Sequence, residues 1–199
     1  PDPDTAVIDP FCSIPTLSMT GNAMIIANPE NRPLAQYPRN IIKAAVEHMK
    51  NSGVADEMKI LPEFEFYLFD DVTWNVEGRH IGATVDAQQS YWNSNTEGHG
   101  VVVAKQKNYH IAKPFDISYE CRSEMCLLMK EAGIEINYHH PEVAASGQFE
   151  IEPQLGEVVH MADATMMIKY IIHNTALKYG KSATFMPKPI YGEAGSGMH

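Results

Sequence analysis

The sequence predicts a mixed α+β fold, and three observations predict it. Three segments carry apolar residues at helical spacing. Short runs between them alternate apolar and polar residues as strands do. The stretch 70–100 is polar and turn-rich and holds no helical pattern. Helices and strands are interspersed, and nothing in the pattern requires the strands to be parallel.

In chain order, Ile42, Ala45, Val46 and Met49 follow the i, i+3, i+4, i+7 spacing of a first helix, with Gly53 as its stop. Strand-like runs follow at 60–69, 148–152 and 183–186. The 70–100 stretch, with Trp74, Gly78, Gly82 and Trp92, predicts hairpins or a flap. Met125, Leu128, Met129 and Ala132 mark a second helix, started by a cap at Asp116 or Ser118 and ended by Gly133. A third helix is predicted over 163–179, burying Ala164, Ile168, Ile171 and Ile172 and ending at Gly180. No internal repeat or low-complexity linker interrupts the chain.

Composition narrows the function classes. The 199 residues suit one domain or a large part of one, with 44% hydrophobic and 20% charged residues. A formal net charge of −10 makes nucleic acid and anionic membrane poor partners. An acidic chain still binds an anionic substrate when metal ions stand between them. Cys12, Cys121 and Cys126 form no C-x-x-C pair, and their odd number fits free thiols in a reducing, cytoplasmic compartment. No apolar stretch has the length of a membrane span, and Pro1-Asp2-Pro3-Asp4 lacks the regions of a signal peptide. The absence of an initiator methionine, and an end at His199 just after a glycine-rich turn, suggest an internal piece of a longer protein.

The run 60–69 is the most informative. Side chains alternate along a strand, so Glu63 and Glu65 share one face while Phe64, Phe66 and Leu68 share the other. Two neighbouring glutamates on a buried strand are costly unless cations neutralise them. The run 147–152 repeats the design: Gln148, Glu150 and Glu152 lie opposite Phe149 and Ile151. Glu142 stands eight residues before Glu150, after the pair His139-His140. Hard oxygen ligands of this kind suit Mg²⁺ or Mn²⁺ rather than zinc. On spacing alone two readings stand: a solvated sheet face, the commoner of the two, and a cation site. An adjacent His pair is more often a surface or core feature than a ligand set, and the glycine-rich 193–199 lacks the lysine of a phosphate loop.

The motifs in combination resemble the glutamine synthetase family, of the prokaryotic type, in the family's order and over essentially the whole chain. Asp9-Pro-Phe11 with Pro15-Thr-Leu17 resembles the junction that leaves its small N-terminal domain. Tyr37-Pro-Arg-Asn40 is similar to the segment opening its first catalytic-domain helix, and Pro62-Glu-Phe-Glu-Phe66 to its P-E-x-E-F strand. Glu142-Val-Ala-Ala-Ser-Gly-Gln-Phe-Glu150 resembles its E-V-A-x-x-G-Q-x-E stretch. Ala183-Thr-Phe-Met-Pro-Lys-Pro189 and Gly195-Ser-Gly-Met-His199 resemble two further blocks.

The resemblance implies a fold, a site and a reaction. Residues 1–13 would be the last strand of a β-grasp-like N-terminal domain, and 14–199 the first half of a catalytic domain with a curved antiparallel sheet and outer helices. Glu65, Glu142 and Glu150 would hold one Mg²⁺ or Mn²⁺ near glutamate and the attacking ammonia; Glu63 and His199 would hold a second, near the ATP phosphates. Glutamate would meet Glu65, Glu142, Ala194, Gly195 and His199, with Glu142 and Tyr109 as catalytic groups. Three positions depart from the family: Pro141 precedes Glu142 in place of a histidine, Asn137 stands where many members place a glutamate that contacts ATP, and Ala194 replaces an asparagine. The implied reaction joins ammonia to glutamate through γ-glutamyl phosphate, in a homododecamer of two stacked hexameric rings with sites between subunits. By the same resemblance the segment alone is inactive. A γ-glutamyl ligase for a larger amine, such as a polyamine, and a ring without catalysis are the alternatives.

Overall fold

A computed structural model describes residues 6–8, 23–25, 38–98 and 100–199. The motifs at 9–11 and 15–17, Cys12 and Tyr37 lie outside them, as does most of the 1–13 strand. Within it, β1 (Ala6–Ile8) pairs antiparallel with β2 (Ala23–Ile25).

The helix α1 (Pro38–Asn51) stops before Gly53, which takes a φ of 70° as a helix terminator does. Its predicted face is only half-buried: Ile42, Val46 and Met49 are partly covered and Ala45 is exposed. Arg39 fastens it to Asp163 through two bonds of 2.8 and 3.0 Å.

The run predicted as one strand is two. β3 (Lys59–Ile60) ends, residues 61–63 follow, and β4 (Phe64–Phe69) begins after them. Pro62 has no N–H to give a ladder, so the pairing breaks there. The 70–100 stretch forms the expected hairpin, β5 (Asp71–Glu77) with β6 (His80–Asp86). Three further strands are β7 (Ile136–Pro141), β8 (Gln148–Pro153) and β9 (Gly156–Glu157), which pairs with β3. β10 (Ser182–Thr184) covers the start of the run predicted at 183–186.

The site rests on one four-stranded antiparallel sheet of order β10-β4-β8-β7. Its apolar face carries Phe64, Phe66, Leu68, Phe149 and Ile151, all buried. Two helices cover that face: α2 (Tyr119–Glu131) and α3 (Val158–Lys178). α2 brings Met125 and Met129, and α3 brings Ala164, Ile168, Ile171 and Ile172, as their spacing predicts. Truncating a core phenylalanine such as Phe66 to alanine typically costs about 3–5 kcal/mol.

Two helix starts differ from expectation. α3 begins at Val158 rather than 163, because the Glu157 carboxylate accepts from Val159 N–H at 2.9 Å and His160 N–H at 3.0 Å. Ser118 occupies the N-cap of α2 without a side-chain cap bond. Asp116 instead takes both terminal nitrogens of Arg122, at 2.9 and 2.6 Å. Arg122 is fully buried and lies 4.4 Å from the Phe149 ring centre, beneath the sheet.

His139 points to this same side, with its ring 5.4 Å from Tyr119. Burial, and then the nearby Arg122 charge, push its pKa down from 6.5 to about 4. Between those values the unfolded chain binds a proton that the folded chain resists, so stability present above pH 6.5 falls as pH drops toward 4. His139→Phe is expected to flatten that part of the stability–pH curve measured by urea unfolding; an unchanged slope contradicts the assignment. Asp116→Ala strands the buried Arg122 charge and is expected to lower stability by about 3–5 kcal/mol. An unfolding midpoint that does not move contradicts this reading.

Candidate metal centre

The sheet register arranges the polar face in rows. Glu65 stands opposite Glu150, and Glu150 opposite His140. One row along, Tyr67 faces Gln148; on the other side, Glu152 faces Tyr138. Glu142 follows β7, and its N–H donates to the Gln148 carbonyl at 2.8 Å, which keeps it beside β8.

The end of the chain adds a short edge to this sheet. Glu63 N–H donates to the His199 carbonyl and Glu65 N–H to the Gly197 carbonyl, each at 3.3 Å, with an antiparallel bridge between Phe64 and Met198. His199 Nδ1 consequently lies 3.0 Å from Glu63 Oε2 and 3.5 Å from Glu65 Oε1. The hydrogen bond to Glu63, and the Glu65 charge, raise the His199 pKa above the ordinary imidazole value.

Two compact donor groups result. Ligand atoms of His140, Glu142 and Glu150 all lie within 4.8 Å of one another, and so do those of Glu63, Glu150 and Glu152. Glu65, Glu142, Glu150 and Glu152 are all buried. Among the described residues their ion-pair partners are histidines, not lysine or arginine. Burial, then the hydrogen bond and charge of Glu142, then Glu63 and Glu65, push the Glu150 carboxyl well above the usual carboxylate range. Such a set is self-repelling without a cation. Its donors, carboxylate oxygens with an imidazole, fit Mg²⁺ or Mn²⁺.

His140 is well placed to join them. Its Nδ1 lies 3.0 Å from the Pro141 carbonyl, and its Nε2 lies 3.6 Å from Glu150 Oε2. A proton on Nδ1 donated to that carbonyl leaves the Nε2 lone pair facing Glu150, the tautomer that ligates a cation.

The structure brings Glu63, Glu65, Glu142, Glu150 and His199 to one face: Glu63 stands beside His199 and Glu142 beside Glu150, while the two compact donor groups also take in His140 and Glu152. Glu65 accepts from Gln148 Nε2 and from Gly197 N–H, both at 3.2 Å, which ties it to the 197–199 edge. Ala194 and Gly195 lie beside the site with their carbonyls engaged. Tyr67 Oη donates to Ala194 O, and Gln148 Nε2 donates to Gly195 O at 2.8 Å. A side chain at Gly195 would put its Cβ 2.7 Å from the Pro187 carbonyl, so packing demands the glycine. Tyr109 is exposed, with its ring centre 5.6 Å from that of His140. Asn137 occupies the register shift of β7 and donates to Glu152 Oε1 at 3.0 Å.

Sequence reasoning put Glu152 on the carboxylate face without a role and weighed His140 only as half of an adjacent pair; it did not single out Tyr138 or His110, whose ring stacks on His140 at 4.0 Å. The period-2 spacing of Tyr138, His140 and Glu142 carried the signal. Pro141 and the adjacent His139 obscured it, and the bulge at Asn137 broke the alternation.

Fold and site together define a class: an antiparallel sheet with helices on its apolar face and clustered carboxylates on the other. Residues 35–199 match the glutamine synthetase catalytic domain, and the chain belongs to the glutamine synthetase family. It is 41% identical over its whole length to a 3-hydroxylaminophenol mutase of Cupriavidus pinatubonensis, and 40% identical to a glutamine synthetase of Pasteurella multocida. In both cases it spans 43% of the relative's length. The glutamine synthetase of Plasmodium falciparum, seen by electron cryomicroscopy, superposes with a TM-score of 0.82 at 26% identity, over 98% of this chain and 38% of that one.

At neutral pH the metal-free fold holds the Glu150 carboxyl protonated against its ordinary tendency to ionise, a cost that glutamine escapes. In metal-free buffer, Glu150→Gln is expected to raise the thermal midpoint of the whole protein by about 2–4 °C and to lose most of the further rise that Mn²⁺ gives the wild type. A lower metal-free midpoint, or an undiminished Mn²⁺ response, contradicts the cluster.

Proposed function

We propose that the whole protein ligates ammonia to the γ-carboxylate of L-glutamate at the expense of ATP, giving glutamine, ADP and phosphate. The observation that carries this reading is the single polar face on which Glu63, Glu65, Glu142, Glu150 and His199 meet, in a chain of the glutamine synthetase family. Glu65, Glu142 and Glu150, joined by His140, would hold one divalent ion; Glu63 and His199, joined by Glu152, would hold a second. When bound, such ions neutralise phosphate charge and align an in-line transfer.

The chain's own residues supply the rest. The negative field of Glu142 and Glu150 attracts ammonium, and a carboxylate there takes the proton whose loss makes ammonia a nucleophile. Tyr109, over the His140 ring, forms a wall of that ammonium pocket. Glutamate meets Glu65 and the backbone of Ala194 and Gly195, whose order is set by Tyr67 and Gln148. Asn137 reaches the ATP side only through Glu152. The protein works in the cytoplasm as a homododecamer of stacked rings, with residues 1–13 closing an N-terminal domain and 14–199 opening the catalytic one.

One observation favours a second reading. A 41%-identical relative carries the name 3-hydroxylaminophenol mutase, so a hydroxylaminoarene rearrangement on the same face is the alternative chemistry. The test is phosphate release by the whole protein with Mg²⁺ and ATP. Release is expected to require both glutamate and ammonium, and Glu142→Ala is expected to lower it by about 10²-fold or more. Release with larger amines but not ammonium moves the reading to a γ-glutamyl-amine ligase. Turnover of 3-hydroxylaminophenol without ATP or glutamate replaces it with the mutase.

A further inference from the structure

Glu193 is the least satisfied ionisable group among the described residues. It is 2% exposed, and neither carboxylate oxygen has a hydrogen-bond partner. Burial pushes its carboxyl above the usual carboxylate range, and the charge of Lys105 opposes that shift. A buried carboxyl in this state gains much from one well-placed cation.

Lys105 is that cation. Its Nζ lies 3.9 Å from Glu193 Oε1, with the lysine side chain half exposed and the glutamate side chain fully enclosed. The turn that presents it is tightly held. Lys107 N–H donates to the Ala104 carbonyl at 3.0 Å, and Gln106 takes a left-handed φ of 56°. Val103 N–H bonds the Gln89 carbonyl at 2.9 Å before the turn, and Asn108 Nδ2 bonds the Gln148 carbonyl at 3.1 Å after it. The turn leans on Gly192: Gln106 Nε2 donates to its carbonyl at 3.4 Å, and Lys105 Nζ lies 3.5 Å from where a Cβ would stand. Gly192 has a φ of 79°, a second reason for glycine there.

Glu193 is also the last residue before the stretch that enters the site. Beyond it, Ala194, Gly195 and Gly197 are bonded in turn by Tyr67, Gln148 and Glu65. We propose that Lys105 and Glu193 form a latch: the ion pair clamps the 104–107 turn to the root of 194–199 and so positions the backbone that lines the carboxylate face. Glu193 and Lys105 are thus positioning residues, acting through Ala194, Gly195 and His199 rather than on substrate. The kinetic part of this inference rests on the glutamate-ligase reading; the structural part does not.

The test compares Lys105→Met, Glu193→Gln, the double variant and Lys105→Arg in the whole protein. Amide hydrogen exchange over 194–198 is expected to quicken about tenfold in Lys105→Met and in Glu193→Gln. The double variant is expected to be no faster than either single one, and Lys105→Arg to stay near wild type. KM for glutamate is expected to rise about tenfold with kcat within about twofold. Unchanged exchange in Lys105→Met, additive effects in the double variant, or an arginine variant no better than the methionine one would overturn the latch. Exchange that follows the expected pattern in a protein that turns over no glutamate upholds the latch and removes the ligase reading.

Discussion

Like charges face one another across the β4–β8 pair, and the rest of the site answers to that constraint. The register sets Glu65 against Glu150 and His140 against Glu150. Directly opposed like charges on a sheet are destabilising, and these are buried as well. The fold sustains them because the other face is strongly favourable. Phe64, Phe66, Phe149 and Ile151 are sealed under α2 and α3, so the strands cannot slip by one residue without exposing all of them. Core packing on one side therefore enforces electrostatic crowding on the other.

That crowding is moderated by groups that arrive from elsewhere in the sequence. Gln148 spans Glu65, Gly195 and Ser196 with one amide nitrogen, tying the strand pair to the chain end. His199 reaches Glu63 and Glu65 because residues 197–199 extend the sheet beside β4. Asn137 and Tyr138 both hold Glu152, an arrangement made possible by the β7 bulge that turns consecutive side chains toward one carboxylate. The Tyr138 hydroxyl is correspondingly harder to ionise, first because it donates to Glu152. Imidazole and amide groups soften the repulsion without cancelling it, which leaves room for divalent cations.

Much of this was legible in the sequence, for physical reasons that can be located. The period-2 alternation at 63–68 and 148–152 gave both faces of the central strands, because one face is wholly apolar. The buried faces of α2 and α3 followed from their spacing, and the glycine stops at 53, 133 and 180 all take positive φ. What stayed hidden depended on contacts distant in sequence. The recruitment of Asp116 by Arg122 removed it from capping. The Glu157 cap lengthened α3. The make-up of the two donor groups, which share Glu150, depends on the β7–β8 register, which is not local. The half-buried face of α1 shows the opposite limit, since helical spacing states which side is apolar and not how fully it is covered.

The central claim is that the polar face of β4, β8 and the 197–199 edge is a divalent-cation site. Anomalous scattering from crystals of the whole protein grown with Mn²⁺ tests it most directly. The account predicts manganese peaks within ligand distance of Glu150, shared with His140 and Glu142 on one side or with Glu63 on the other. A fully occupied manganese peak elsewhere, with none on this face, would contradict it.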